Sequence, residues 1–164
     1  MTDFYRDVAR IALAVADKHG FVLGGGVAWL VNGLVQRPTE DVDLFTDAED
    51  GVVAATGEVS AALITAGYSV ALEEPDGLFA GMDDNLREFL VAGGDRALRL
   101  TLCRLDRHRA PVVMDVGPVM HLDDEDVADA GRYLDRVEDD RFAVYGFDPP
   151  AVARLRAALA SWPR

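Results

Sequence analysis

The sequence contains very little cysteine, histidine or lysine. Its 164 residues include three histidines, a single cysteine, Cys103, and a single lysine, Lys18. Because a lone cysteine cannot form an internal disulfide, we expect a reducing compartment, the cytoplasm. One cysteine and three scattered histidines are also too few for a zinc site built on thiolates. These shortages argue against a disulfide-stabilised secreted domain and against a zinc-finger type of module.

Positive charge is also scarce. Lysine and arginine total 16 against 29 aspartates and glutamates, which gives a formal net charge of −13. Such a balance disfavours a protein that coats DNA or an anionic membrane by bulk charge. Half of the residues are hydrophobic, enough to bury a core in one domain of this length. We therefore expect one globular domain with no bulk DNA binding and no membrane association.

The sequence lacks an apolar run that suits a membrane helix or a signal peptide. Residues 19–36 carry no formal charge, but they include five glycines, three of them consecutive. A membrane helix would not place three glycines in a row at its centre. The apolar run 11–16 is shorter than the core of a signal peptide. We expect neither feature in this chain.

The hydrophobic periodicity predicts helices alternating with strands in the first part of the chain and strands followed by helices in the rest. This order is typical of an α/β (α+β) fold with a mixed β-sheet flanked by helices. We expect a core over residues 1–120 and a short helical C-terminal extension over 121–164, packed as one domain. The predicted strands are 21–23, 41–45, 68–72, 86–91, 97–105 and 111–116, and the predicted helices are 2–19, 27–34, 50–66, 123–137 and 148–161.

Three consecutive glycines separate the first predicted strand from the helix that follows it. Gly24, Gly25 and Gly26 would let the backbone approach a ligand closely, and the unpaired N–H groups behind them suit a phosphate. The pattern is not the dinucleotide-binding fingerprint, because the third glycine and the acidic residue of that motif are missing. The glycine turn therefore predicts a phosphate cradle of another kind.

Two aspartates lie on the next predicted strand. Asp41 and Asp43 are two residues apart, so both carboxylates face the same side of the strand. Two carboxylates roughly 5 Å apart repel by about 3 kcal/mol at an effective dielectric constant near 20. Such a pair either holds a proton or binds a cation, and Mg²⁺ is the natural cation beside phosphates. The glycine turn and the acid pair together indicate metal-assisted phosphoryl or nucleotidyl transfer.

This stretch resembles the nucleotidyltransferase superfamily that includes DNA polymerase beta, and within it the AbiEii/MenT-type nucleotidyltransferase toxins. The resemblance implies a mixed-sheet core that uses Mg²⁺ to move a nucleoside monophosphate from a nucleoside triphosphate (NTP) to an acceptor. It also implies that the glycine turn, Gly24 to Gly26, holds the triphosphate and that Asp41 and Asp43 hold the metal. Arg37 would contact a phosphate or be an exposed turn cation, and Thr39 would orient a ligand or make a local turn hydrogen bond. The matching residues are Leu23, Gly25, Gly26, Ala28, Arg37, Thr39, Asp41, Asp43 and Leu44.

The acceptor is open at this point. The resemblance implies an RNA acceptor such as the 3′ end of tRNA, with a cognate antitoxin as partner. The net charge of −13 better suits a small cationic acceptor, as in the antibiotic-modifying relatives. The third hypothesis is a catalytically silent protein that keeps the fold to bind a partner or a nucleotide.

Two departures from the family pattern support that third hypothesis. The superfamily supplies a third carboxylate from a later strand, and here two residues compete for its place. Thr101 occupies it if 97–105 is the matching strand, whereas Asp115 supplies the carboxylate if 111–116 is. We favour Asp115 on its chemistry, because a threonine is a poor metal ligand and no general base. The relatives also carry a lysine after the core, where this chain offers only Arg132.

Overall fold

The computed structural model describes residues 3–32, 41–73, 84–107, 109–121 and 148–160. Within these residues, seven strands form one mixed sheet in the order β3-β4-β5-β2-β1-β7-β6. β1 is antiparallel to β2, and β2 is parallel to β5. The predicted mixed sheet flanked by helices is confirmed. The strands are β1 (Val22–Gly24), β2 (Asp41–Thr46), β3 (Ser69–Glu73), β4 (Leu86–Gly93), β5 (Arg96–Arg104), β6 (Val112–Met114) and β7 (Gly117–Val119).

The helices begin and end where local chemistry favours it. α1 (Asp3–Ala16) has an acid in its first turn and continues into a short 3₁₀ turn (Asp17–His19). That turn ends at Gly20, whose φ of 76° is left-handed. α2 (Gly25–Val31) follows β1 directly, and α3 (Gly51–Thr65) follows β2. α4 (Pro149–Ala160) begins with Asp148 Oδ1 accepting a 2.7 Å hydrogen bond from the backbone N–H of Ala151. The predicted helix 123–137 lies outside the described residues.

The two faces of the sheet differ in chemistry. Strand residues alternate between faces, and residues paired across neighbouring strands share a face. On one face, α1 and α3 pack against a buried apolar layer. The opposite face carries Asp41, Asp43, Thr101 and Glu88, and we call it the polar face. The apolar layer includes Val42, Leu44, Phe89, Val91, Leu98, Leu100 and Leu102.

The structure differs from the sequence prediction at the far edge of the sheet. Residues 111–116 are predicted as one strand, but they contain the shorter strand β6 and the turn that follows it. This turn leads into β7, a strand that the sequence did not predict. Three-residue strands are too short to show a period of two. The successive strands β5 and β6 do not form a hairpin, because β5 lies between β4 and β2 whereas β6 pairs with β7. The chain therefore crosses the sheet between β5 and β6. Within the described residues, no helix is long and apolar enough to span a membrane.

Candidate active site

The glycine turn lies directly against the acid pair. β1 ends at Gly24, which is paired in register with Asp43 of β2. Gly25 follows with a left-handed φ of 56° and begins α2. A Cβ atom added to Gly25 would collide with the carboxylate of Asp43, so only glycine fits this approach. The turn therefore lies against the Asp43 carboxylate.

Asp41 and Asp43 both lie on the polar face, as the spacing predicts. Asp41 is exposed and Asp43 is half-buried. Burial raises the pKa of Asp43 above its usual value, and the negative charges of Asp41 and, more weakly, Glu88 raise that pKa further. The Thr101 hydroxyl donates a hydrogen bond to Asp43 and opposes the rise in pKa. Burial and the neighbouring carboxylates thus disfavour the ionised form of Asp43, and a bound cation would favour it.

Thr101, not Asp115, is the neighbour of the acid pair. The parallel register of β2 and β5 places Thr101 directly beside Asp43. Asp115 is exposed in the turn between β6 and β7. β7 runs parallel to β1 with Val119 beside Leu23, so this turn lies at the end of the sheet where β1 begins. Asp43 lies at the opposite end, and the expectation that Asp115 completes the site is corrected.

The apolar neighbours of Asp115 explain the wrong expectation. The sequence around it suggests a buried strand, but β6 is the edge strand of the sheet. Val113 is 84% exposed there, and Asp115 itself is exposed although its neighbour Val116 is buried, so a buried apolar neighbour does not indicate a buried carboxylate.

Sequence reasoning missed Glu88 on β4. The antiparallel register of β4 and β5 pairs Glu88 with Thr101, one strand beyond Asp43 on the polar face. Arg99 Nε lies 3.9 Å from Glu88 Oε1 and 3.5 Å from Glu73 Oε2. The alternation of β4 could have placed Glu88 on a polar face, but no local signal pairs β4 with β5 at this register.

The arginines of residues 95–109 do not share one surface. Arg96 lies over the ring of Phe4, with its Cζ 4.9 Å from the ring centroid. Arg99 contacts the two glutamates of the polar face. Arg107 binds Asp47 at 2.6 Å near the far end of β2. The residues predicted to assist the triphosphate, Arg37 and Thr39, lie outside the described residues.

A cavity of about 510 Å³ opens beside Asp41. It lies on the β5 side of β2, whereas the glycine turn lies on the β1 side. A molecule in this cavity would therefore reach the acid pair from the side opposite the phosphate cradle. The lining residues are Tyr5, Asp41, Leu90, Ala97, Leu98 and Arg99.

The donor set suits Mg²⁺ that is bound together with phosphates. Within the described ranges, no group of three or more histidine, cysteine, aspartate or glutamate side chains is arranged to hold a metal. Mg²⁺ is commonly held by one or two carboxylates, with waters and substrate phosphates as its other ligands. Asp41 and Asp43 match that arrangement, because they lie on one face of the sheet beside the glycine turn. The residues present fit the metal.

The chain matches the family model described as the nucleotidyl transferase AbiEii toxin of the type IV toxin–antitoxin system, over residues 6–159. The chain belongs to the AbiEii nucleotidyltransferase toxin family. The resemblance drawn from the glycine turn and the acid pair is confirmed.

Solved structures show the same fold. A protein from H. pylori designated a nucleotidyltransferase is 16% identical and superposes with a TM-score of 0.53, covering 80% of this chain and 59% of that one. JHP933 from Helicobacter pylori is also 16% identical, with a TM-score of 0.51 and coverages of 80% and 57%. This AbiEii-family chain thus spans less than three fifths of either structure. No curated protein matches the chain.

Proposed function

We propose that the chain is an Mg²⁺-dependent nucleotidyltransferase that moves a nucleoside monophosphate from an NTP to an acceptor hydroxyl. The observation that carries this proposal is the contact between the glycine turn and the acid pair. Gly25 approaches Asp43 so closely that a methyl group would not fit, and Gly24 lies beside Asp43 in register. A phosphate cradle and a metal-binding acid pair in contact are what this reaction requires.

Each part of the site has a role in the proposed reaction. The backbone N–H groups of Gly25 and Gly26 bind the triphosphate, and Asp41 and Asp43 hold Mg²⁺. When bound, the metal neutralises negative charge that develops on the phosphates. The acceptor oxygen forms a bond to the α-phosphorus, the bond from that phosphorus to pyrophosphate breaks, and the acceptor hydroxyl loses its proton.

The acceptor we propose first is an RNA such as the 3′ end of tRNA. The cavity beside Asp41 supports it, because Tyr5 and Arg99 line the cavity. An aromatic ring and a guanidinium favour a planar base and a phosphate over a polycation. The net charge of −13 favours the second candidate, a small cationic acceptor such as an antibiotic.

Nucleotide binding is tested by thermal unfolding with ATP, CTP, GTP and UTP, each with and without Mg²⁺. We expect one or more nucleotides to raise the unfolding midpoint only when Mg²⁺ is present. Asp41→Ala should abolish this rise. Asp115→Ala is the matched control and should keep it, because Asp115 is exposed at the other end of the sheet.

The outcomes separate an enzyme from a silent fold. No rise with any nucleotide would favour the catalytically silent binding protein, the hypothesis that Thr101 beside Asp43 supports. The acceptor is then tested with labelled triphosphates and either total tRNA or a panel of aminoglycosides. Label on tRNA supports the first acceptor, and label on the drugs alone would replace it with the second.

A further inference from the structure

Five residues lie side by side across the polar face at one level of the sheet. The register pairs Gly24 with Asp43, Asp43 with Thr101, Thr101 with Glu88, and Glu88 with Glu73. Neighbouring strands are about 4.8 Å apart, so the backbones at Asp43 and Glu88 are separated by roughly 10 Å. Two side chains that project from the same face can approach a common ligand across that distance.

The side chains of Thr101 and Glu88 can offer only hydrogen-bond acceptors to a ligand between them. Its hydroxyl donates its only proton to Asp43, so the Thr101 oxygen has only lone pairs to offer another partner. The carboxylate of Glu88, across from Thr101, also offers only lone pairs. A polar group between these two side chains must therefore be a donor, and the hydroxyl of an acceptor is such a group.

Arg99 restrains Glu88 on this face. The Nε atom of Arg99 lies 3.9 Å from Glu88 Oε1 and 3.5 Å from Glu73 Oε2, so the guanidinium lies between two carboxylates. The cavity of about 510 Å³ begins one pair of residues further along the same strands, where Leu90 pairs with Arg99. A molecule in that cavity can extend a hydroxyl towards Glu88 while the triphosphate lies at the glycine turn.

We propose that Glu88 is a catalytic residue that accepts the proton of the acceptor hydroxyl. The acceptor oxygen bonds to the α-phosphorus, its proton passes to the Glu88 carboxylate, and the electron pair of the broken bond leaves with pyrophosphate. This inference rests on the proposed function and adds to it the general base, the group that takes the proton from the acceptor hydroxyl. The carboxylate missing from β5, where Thr101 stands, is supplied by the neighbouring strand β4.

The test compares Glu88→Gln with Glu73→Gln in the full chain. Each variant removes one of the two carboxylates near Arg99, and only Glu88 lies next to Thr101. We expect Glu88→Gln to lower kcat by about 100-fold or more, the usual loss when a general base is removed. The KM for the triphosphate and the Mg²⁺-dependent rise of the unfolding midpoint with nucleotide should stay as in the wild type. Glu73→Gln should change kcat by less than about threefold, because it removes only an exposed ion pair with Arg99.

Four outcomes would overturn the inference. Equal losses in the two variants would mean that the ion pairs with Arg99 matter and the base does not. An unchanged kcat in Glu88→Gln would remove the role outright. Loss of the nucleotide-dependent stabilisation in Glu88→Gln would mean that Glu88 helps to bind the triphosphate and does not act on the acceptor. Failure of the wild type to transfer to any acceptor would remove the proposed function and this inference together, whereas the other three leave the proposed function intact.

A second variant covers the case in which Glu88→Gln does not fold. Glu88→Asp keeps the negative charge near Arg99 and withdraws the carboxylate by one methylene group. We expect it to fold with a wild-type response to Mg²⁺ and nucleotide and to lose at least about tenfold in kcat, because proton transfer needs hydrogen-bond contact. Wild-type kcat in Glu88→Asp would contradict a base at this position.

Discussion

The two ends of β2 carry acids in opposite electrostatic states. At the carboxyl end, Asp47 accepts a 2.6 Å hydrogen bond from Arg107, and this bond lowers the pKa of Asp47. At the amino end, burial and the charge of Asp41 raise the pKa of Asp43. One acid is neutralised by the protein itself, and the other is left for a ligand. An acid whose charge is not compensated by a neighbouring cation of the protein is typical of a functional site.

The buried Thr46 hydroxyl at the carboxyl end also has its hydrogen-bond partners within the protein. The Thr46 hydroxyl is fully buried, donates a 2.8 Å hydrogen bond to the carbonyl of His19 and accepts one of 3.1 Å from the backbone N–H of Ala48. These bonds connect β2 to the end of α1 and to the loop before α3. The carboxyl end of β2 therefore holds neighbouring segments of the fold together, and the amino end carries the proposed site.

The largest expected effect is that of Gly25→Ala at the amino end. The added Cβ would collide with the Asp43 carboxylate, and φ at this residue is left-handed, which costs a non-glycine residue about 1–2 kcal/mol. We expect loss of nucleotidyl transfer by 100-fold or more and loss of the Mg²⁺-dependent stabilisation by nucleotide. Transfer assays and thermal unfolding measure the two effects.

Gly94→Ala is the matched control for Gly25→Ala. Gly94 also has a left-handed φ, 64°, but among the described residues, apart from its two chain neighbours, no atom lies within 4 Å of a Cβ added there. Its substitution carries the backbone strain without the collision, so activity should survive with a modest loss of stability. If both variants kept wild-type transfer, the contact between the glycine turn and Asp43 would not matter for the reaction.

The second prediction breaks the ion pair at the carboxyl end. Arg107 is only 11% exposed, and within the described residues its Nε and Nη1 find no hydrogen-bond partner. Asp47→Ala leaves this buried guanidinium without its carboxylate and should lower the free energy of unfolding by about 2 kcal/mol. Chemical denaturation measures the loss, and the Mg²⁺-dependent response to nucleotide should remain.

Arg107→Met is the companion variant. It keeps the apolar stem and removes the buried charge, and Asp47, which is 45% exposed, can then be solvated. We expect a smaller loss than in Asp47→Ala. The reverse order would mean that the carboxylate of Asp47, and not the guanidinium, is the group that depends on the pair.

The sequence predicts the segments that carry the glycine turn and the acid pair better than it predicts which strand lies beside them. The glycine turn and the alternation of β2 are local signals, so β1 and β2 lie within one residue of their predicted bounds, and α2 begins two residues and ends three residues before its own. Which strand lies beside β2 is a long-range property that no local pattern contains. The choice between Thr101 and Asp115 and the presence of Glu88 therefore required the structure.

The third prediction concerns Asp43→Asn without metal or nucleotide. A raised pKa in the folded state means that ionised Asp43 destabilises the fold near pH 7. The stability of the wild type should therefore fall as the pH rises from the unfolded-state pKa through the higher folded-state pKa of this group. Asp43→Asn should lack that fall, unfold at a slightly higher temperature at pH 7, and show no Mg²⁺-dependent response to nucleotide.

Asp115→Asn is the control for Asp43→Asn, because it makes the same change at an exposed turn residue. It should keep both the pH dependence and the response to Mg²⁺ and nucleotide. A lower unfolding temperature for metal-free Asp43→Asn than for the wild type would show that the Asp43 carboxylate stabilises the fold, contrary to the raised pKa.

The smallest expected effect is that of Lys18→Ala. Lys18 is the only lysine of the chain, and it lies near the carboxyl end of β2, in the 3₁₀ turn after α1. It is 62% exposed, and its Nζ lies 2.7 Å from an oxygen of the exposed Glu58. Exposed ion pairs contribute little to stability. We expect an unchanged unfolding midpoint and unchanged transfer to the acceptor, with Lys18→Arg giving the same result. Because the proposed site lies at the amino end of β2, a loss of transfer in Lys18→Ala with normal folding would contradict the division of roles between the two ends.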